Sequence, residues 1–288
     1  MRETALVGTL YGDADGYDGY MGHWSAALAP KFLSFALRGK QPGSLLDLGA
    51  GTGNLLAAAA ATLKGTKLTA IDPSPVLLAR ARLRPGLSAV DFREGMAESL
   101  PFPPDIFDAC LSLLVLQEFA EPRVAICEMK RVTRAGGIVA ACLWDFAKMP
   151  VIAMLVDALA TAAPETRELL ASRSRPFQSL EELAAAWTLE GFSDVSAHRI
   201  AVTREFRSFD DLWRPLLTGS TPSTLALSAL PADRQSAVRA AMQWRLAGSP
   251  GIFGVTAEAL AVRATVRADL PKWPRRAMLR SSRYSMTA

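Results

Sequence analysis

The run Leu45-Leu-Asp-Leu-Gly-Ala-Gly-Thr-Gly-Asn54 sets three glycines in five positions between a short apolar stretch and an Ala/Leu-rich one. Glycines at 49, 51 and 53 let a backbone turn sharply and approach a ligand closely. The segment 54–63 has helical composition, so its free N–H groups would face that turn. A strand entering such a turn and a helix leaving it constrain the chain to an α/β plan. The pattern then repeats: strands are predicted at 44–48, 67–71, 88–93, 106–113 and 138–143, helices at 54–63, 74–84 and 122–133. Gly136-Gly137 reads as a turn. Strands alternating with helices of this length imply a parallel sheet covered on both faces. Right-handed crossovers then put the ligand crevice at the carboxyl ends of the strands.

The flanks are less regular. Tyr11 to Tyr20 is Gly/Tyr/Asp-rich and predicts a loop, followed by a helix over 26–37. Helices are expected at 151–163, 180–189, 209–217 and 232–246, with strands near 195–206 and 257–266. The simplest division is one domain over 1–270, with a core at about 40–147, a helical insertion at about 207–247 and a basic tail at 271–288. That tail carries Lys272, Arg275, Arg276, Arg280 and Arg283 and no acid. The net charge of +4 therefore leaves −1 for the remainder, which is not the basic face of a nucleic-acid binder. The tail reads as a solvated, flexible end, with contact to an acidic partner as the other reading. Cys110, Cys127 and Cys142 lie in apolar segments without metal or disulfide spacing, as small core residues of a reducing compartment. No apolar run reaches the ~18 residues of a membrane span, and residues 1–10 lack a secretory apolar stretch. The expected address is the cytoplasm.

The chemistry of the glycine turn is selective. A nicotinamide dinucleotide favours G-x-G-x-x-G, with amides facing a pyrophosphate. Here the spacing is G-x-G-x-G, and Asn54 stands where the third glycine would be. Asp47 places a carboxylate at the strand end, which suits a cationic ligand. One βα unit later Asp72 ends the second strand, where an acid can accept hydrogen bonds from both hydroxyls of a ribose. Alone, Asp72 would read as a cap of the following helix, ahead of Pro73.

Four segments in order resemble class I S-adenosylmethionine-dependent methyltransferases, nearest to the ubiquinone/menaquinone-type and related small-molecule enzymes. They are Leu45 to Gly53, Asp72, the run Gly95-Met-Ala-Glu-Ser-Leu-Pro-Phe-Pro103 with Phe107-Asp-Ala109, and Glu128-Met-Lys-Arg-Val-Thr-Arg-Ala-Gly-Gly137. The resemblance runs from about Tyr17 to Trp144, and Tyr20-Met-Gly-His-Trp-Ser25 is similar to the family's cofactor-covering opening. It implies a Rossmann-like doubly wound, mostly parallel seven-stranded sheet with a helical cap in the C-terminal half. It implies S-adenosylmethionine as cofactor and S-adenosylhomocysteine as product; no metal is expected, because no cluster of acids or histidines suggests a Mg²⁺ or Zn²⁺ site. By the same resemblance Asp47, Gly49, Ala50, Gly51 and Gly53 hold the methionine end. Asp72, Pro73 and Ser74 hold the ribose, Met96 and Ala97 flank the adenine, Leu113 to Gln117 border the sulfonium, and Tyr20 closes over the cofactor. One position departs from the pattern. Many relatives have Gly-Asp-Ala-Glu where this chain has Gly95-Met96-Ala97-Glu98, so the side-chain acceptor for the adenine amino group is missing.

Methyl transfer from a sulfonium asks mainly for orientation, worth ~7–11 kcal/mol, and for exclusion of water; a base is needed only if the nucleophile must lose a proton. Past the fourth strand the chain reads Leu111-Ser-Leu-Leu-Val-Leu-Gln117, without the Asn/Asp-Pro-Pro-aromatic run of enzymes that methylate amino groups of nucleic-acid bases. The expected acceptor is a small molecule, whose identity and methylated atom are not legible, nor is the oligomeric state. His23 offers a base or a cofactor contact against the plainer reading of a surface or capping histidine; His198 reads as structural. The aromatics Trp187, Phe192, Phe206, Phe209, Trp213 and Trp244 read as core or lid packing before pocket lining. Glu128 with Arg131 reads as an exposed i, i+3 pair of little energy. Two other functions fit the same motifs: aminopropyl transfer from the decarboxylated cofactor, and a non-catalytic module that binds the cofactor and regulates a partner.

Overall fold

In a computed structural model, residues 14–119, 121–167, 170, 176–246 and 251–268 are described. The proposed basic tail lies outside them. Seven strands form one sheet: β1 (Ser44–Leu48), β2 (Lys67–Asp72), β3 (Asp91–Glu94), β4 (Phe107–Leu113), β5 (Thr133–Trp144), β6 (Ser193–Phe206) and β7 (Phe253–Thr265). Their spatial order is β3-β2-β1-β4-β5-β7-β6. The first five pair in parallel, and β7 runs antiparallel to both β5 and β6. This is the doubly wound, mostly parallel fold expected from the alternating pattern. The strand order reverses beside β1, so the crevice opens where β1 and β4 end.

The described part opens with α1 (Ala14–Tyr17), passes through a π-helical turn at Asp18–Gly22 and continues into α2 (His23–Leu37). This corrects the loop predicted for Tyr11 to Tyr20, whose first three residues lie outside the described part. Gly16, Gly19 and Gly22 make the stretch read as a loop, yet tertiary contacts hold it helical. A π turn of this kind is rare and concentrates at functional sites. At its other end α2 stops at Arg38, in the left-handed region at φ 47°, with its amide donating to Ser34 O at 3.0 Å. Arg263 of β7, 6% exposed, donates from Nε to Ala36 O at 2.9 Å and fastens that helix end to the sheet.

Among the described residues the remaining α-helices are α3 (Asn54–Thr62), α4 (Pro75–Arg82), α5 (Pro122–Val132), α6 (Pro150–Ala162), α7 (Leu180–Leu189), α8 (Phe209–Leu216), α9 (Pro222–Ser228) and α10 (Ala232–Arg245). One face of the sheet is covered by α2, α3, α6 and the α8–α10 segment, which joins β6 to β7. The other is covered by α5 and α7. The short α9 was not expected. It is held by a reciprocal cap in which Thr221 and Thr224 each accept from the other's backbone amide. Three further expectations change. Gly136 and Gly137 lie inside β5 rather than in a turn before it, β3 is shorter than predicted, and β7 begins at Phe253. Gly137 tolerates no side chain, because an added Cβ would lie 2.9 Å from Asp108 O.

Candidate functional site

The glycine turn takes the strained path its composition suggests. Gly49, Gly51 and Gly53 have φ of 72°, 53° and 85°, a region that favours glycine. The amides of Gly49 and Ala50 both donate to Ile71 O, at 2.8 and 3.1 Å, which locks the turn against β2. Gly49 also packs where a Cβ would lie 2.9 Å from Val115 Cβ. At the end of β4, Leu114 adopts φ 63° without being glycine, and its amide donates to Cys142 O at 2.7 Å. Such a conformation costs of order 1–3 kcal/mol and concentrates at ligand sites.

Between these two strand ends lies a cleft enclosing about 340 Å³ including its open mouth. Asp47, Gly49, Ala50, Gly51 and Leu113 line it, together with Tyr17, Ser25, Thr52, Asn54, Leu55 and Leu114. Asp47 is its chemical focus. The carboxylate is fully buried and neither oxygen has a hydrogen-bond partner. Burial, and then the charge of Asp72, push its acid up to about 8. A buried acceptor left unpaired costs ~1–3 kcal/mol, more if charged, so Asp47 is arranged for a partner from outside the fold.

Asp72 stands beside this cleft, 6% exposed. Its Oδ2 accepts from Gly51 N at 2.8 Å and its Oδ1 from Ser74 N at 2.9 Å. It therefore ties the two strand–helix turns together. The cap of α4 is Ser74, whose Oγ accepts from Leu77 N at 3.3 Å, with Pro75 as first helical residue. Asp72 is thus free of the plain capping role, and each oxygen keeps a lone pair for a ligand hydroxyl. Burial raises its acid while the two backbone amides oppose that. Past β3, Ala97 is 5% exposed and Met96 56%. Met96 offers an apolar surface at the rim and no hydrogen-bond acceptor beyond its sulfur. Glu128 and Arg131 are not an idle surface pair. Glu128 Oε2 accepts from Leu100 N at 2.8 Å, and Arg131 donates to Leu100 O and Phe102 O, fixing the loop that follows Ala97.

The N-terminal helix covers the turn. Asp18 accepts from Thr52 Oγ1 at 2.6 Å and from Arg84 Nη2 at 3.0 Å, and Arg84 Nε reaches the Thr52 carbonyl. Arg80 adds ion pairs to Asp18 and Asp15 at 3.5 and 3.2 Å. Ser25 Oγ accepts from Asn54 Nδ2 at 2.8 Å. These contacts explain why a glycine-rich stretch is helical, and no local sequence rule announces them. They bring Tyr17 rather than Tyr20 to the cleft lining. Tyr20, 2% exposed, lies deeper, under the electrostatic influence of Arg204, and its hydroxyl has no partner. Gln117 donates from Nε2 to Leu114 O at 3.0 Å and leaves Oε1 unpaired.

The other singled-out residues separate. His23 is exposed; partial burial and then Arg204 lower its pKa against the pull of Asp18. His198 stacks on Phe35 at 6.1 Å, far along the sheet. Trp187 and Phe192 stack under α7 on the opposite face, while Trp244 is 78% exposed and packs in neither core. Among the described residues no group of three or more His, Cys, Asp or Glu is placed to hold a metal, and no helix is long and apolar enough to cross a membrane.

Comparison with known proteins converges on this same segment. Residues 46–141 match the family model described as a methyltransferase domain. A demethylmenaquinone methyltransferase of Clavibacter sepedonicus is 34% identical over 145 residues, covering 50% of this chain and 58% of that protein. The chloroplastic 2-methyl-6-phytyl-1,4-hydroquinone methyltransferase 2 of rice is 34% identical over 122 residues, covering 42% of this chain and 34% of its own length. The chain thus spans between about a third and three-fifths of these two relatives. Among solved structures, the YcgJ protein of Bacillus subtilis superposes with a TM-score of 0.53 at 21% identity, over 86% of this chain and all of that one. Phosphoethanolamine N-methyltransferase 2 of Haemonchus contortus, in complex with S-adenosyl-L-methionine, gives 0.52 at 16%, over 83% and 52%. Those two likenesses establish the fold. The matched segment holds β1 from Leu46 onward, the glycine turn, Asp47, Asp72 and all of β4, so the similarity to a methyltransferase domain falls on the residues that build the cleft.

Proposed function

We propose that the chain transfers the methyl group of S-adenosylmethionine to a small organic acceptor in the crevice at the ends of β1 and β4. The observation that carries this reading is Asp47, a buried carboxylate without a partner beside three left-handed glycines. That pairing fits a ligand with a cationic, phosphate-free end. In this reading Asp47, Gly49, Ala50, Gly51 and Gly53 receive the methionine portion. Asp72, with Pro73 and Ser74, takes the ribose hydroxyls. Met96 and Ala97 border the adenine, Leu113 and Gln117 the sulfonium, and Tyr17 and Tyr20 belong to the covering helix. The bound cofactor supplies an already activated methyl group. The protein's share is to align the acceptor with it and exclude water, and α1, α2 and the α8–α10 segment provide the walls. The relatives named for quinol and menaquinone methylation support a small aromatic acceptor. An intracellular, metal-independent enzyme fits the same residues.

The test is calorimetric titration of the full chain with S-adenosylmethionine and with NAD in parallel. Saturable micromolar binding of the first alone is expected. Binding of NAD, or of neither, overturns the reading.

A further inference from the structure

Beyond the cofactor cleft, the same face of the sheet carries a second set of unmatched groups, all of them donors. Arg204 lies on β6, in register with Val255 of β7. Alternation puts it on the face of Val202 and Phe206, which pack with Tyr20 and Trp24 in one core. Because β6 runs parallel to β5, Arg204 projects past the level of Trp144, at the carboxyl end of the sheet where the crevice opens. Its guanidinium sits 4.6 Å over the Phe206 ring. Trp24 meets both Trp144, edge-on at 6.4 Å, and Phe206 at 6.3 Å. Tyr20 is one helical turn before Trp24 and close enough for Arg204 to act on its hydroxyl.

Around the Trp24 ring there are therefore three donors. The Tyr20 hydroxyl and Trp144 Nε1 are buried with no hydrogen-bond partner. Arg204 is half-buried and makes no ion pair among the described residues. The titratable groups facing it are Tyr20 and His23 of the covering segment, both favoured neutral by burial, and Asp211 of α8. The Asp211 carboxylate already accepts from Arg207 N at 3.0 Å. A buried donor without an acceptor costs about 1–3 kcal/mol, and three donors with an arginine among them call for an oxygen carrying negative charge. The surrounding rings of Trp24, Trp144 and Phe206 call for a flat apolar body.

We infer that Arg204, Tyr20 and Trp144 form the acceptor subsite of this chain, and that the acceptor is an aromatic or enolic hydroxyl compound held there as its oxide. This rests on the methyl-transfer reading above and names its substrate class. The acceptor hydroxyl gives its proton to solvent, and the oxide oxygen, or the ring carbon beside it, bonds to the methyl carbon; on the carbon route the hydrogen of that carbon then leaves as a proton to solvent and its bonding pair restores the ring. The methyl–sulfur bond breaks with its electron pair leaving on sulfur. Arg204 favours the oxide before transfer, which strengthens the nucleophile.

The test uses 4-nitrophenol, whose ionisation near neutrality is read directly in the visible. It is titrated by pH on the full chain loaded with S-adenosylhomocysteine, whose binding is measured separately. An opposite charge at contact distance lowers an acid by about 1–3 pKa units, so bound nitrophenol should ionise at least tenfold more readily than free. Arg204→Gln should abolish that shift and Arg204→Lys should keep most of it, both with S-adenosylhomocysteine affinity unchanged, and Tyr20→Phe should reduce the shift. An unshifted or absent nitrophenol signal on the loaded protein, or equal shifts in the native protein and Arg204→Gln, overturns the subsite. Failure to bind S-adenosylhomocysteine would instead sink the cofactor reading.

Discussion

Lowering the pH from 8 to 6 should weaken S-adenosylmethionine binding roughly fiftyfold, because the free protein holds Asp47 protonated. Burial and Asp72 together push that acid up to about 8. At pH 7 about nine molecules in ten then carry the proton, and ionising the group costs ~1.4 kcal/mol. An ammonium delivered to the carboxylate stabilises the charged form, so binding expels the proton. Calorimetry at pH 7 in two buffers of different ionisation enthalpy measures this directly; about 0.9 proton should leave per cofactor bound. Affinity should rise about ninefold from pH 6 to 7 and about fivefold from pH 7 to 8, and level off above that. Asp47→Asn should bind weakly and release no proton. The sign for stability is opposite to that of an ion-paired carboxylate. In the fold Asp47 keeps its proton to about pH 8, whereas the unfolded chain loses it near pH 4. The fold thus binds the extra proton within that window, and stability from this group declines as pH rises through it. Asp47→Asn, uncharged throughout, should therefore gain in Tm relative to the native protein as pH climbs from 5 to 8. Buffer-independent binding enthalpies, or an affinity flat from pH 6 to 8, would refute the reasoning.

Three further perturbations probe the same architecture. Asp72→Ala deletes two charge-assisted bonds to Gly51 and Ser74, each worth ~1.5–3 kcal/mol; the dissociation constant for S-adenosylmethionine should rise at least tenfold while the far-ultraviolet dichroism is retained. Gly49→Ala forces a Cβ into Val115 at φ 72° and should cost about 1–3 kcal/mol by urea unfolding, and Val115→Ala in the same chain should recover part of it. Asp18→Asn weakens the contacts to Arg84 and Arg80 that hold the helix over the turn, so stopped-flow displacement should show faster cofactor dissociation with a Tm change within about 1 kcal/mol equivalent.

The parallel half of the fold was legible because each of its elements is marked locally. Leu45 to Asn54 declares strand, turn and helix in ten residues, and Ser74-Pro75 declares the start of α4. The covering helix was not legible, because Gly16, Gly19 and Gly22 favour a loop and the compensating groups, Arg80 and Arg84, lie some 60 residues later. The same distance hid Tyr17 as a cleft residue. It hid Arg204 as well, since a lone arginine in an alternating strand reads as a solvent-facing position until the register of β6 is known. Thr221-Pro222 did carry a signal for α9, a capping threonine before an N1 proline, which went unread because the helix is only seven residues long. Asp47 and Asp72 were readable as a pair. Their division of labour was not, since only the geometry separates a carboxylate held by two amides from one held by none.

The placement of β7 has a consequence for how the polypeptide acquires its shape. This strand lies between β5 and β6, and Ala257, Ala259, Ala261, Val262 and Ala264 are all at most 1% exposed. It is also the last of the described strands in chain order. Until it emerges from the ribosome, the apolar margin of β5 stays open and β6 has no neighbour, a state that invites edge-to-edge association. Assembly of this sheet must therefore wait for its penultimate position to be filled from behind. A ribosome paused before Phe253 would leave a chain with its glycine turn formed and its sheet unsealed, a natural client for a chaperone.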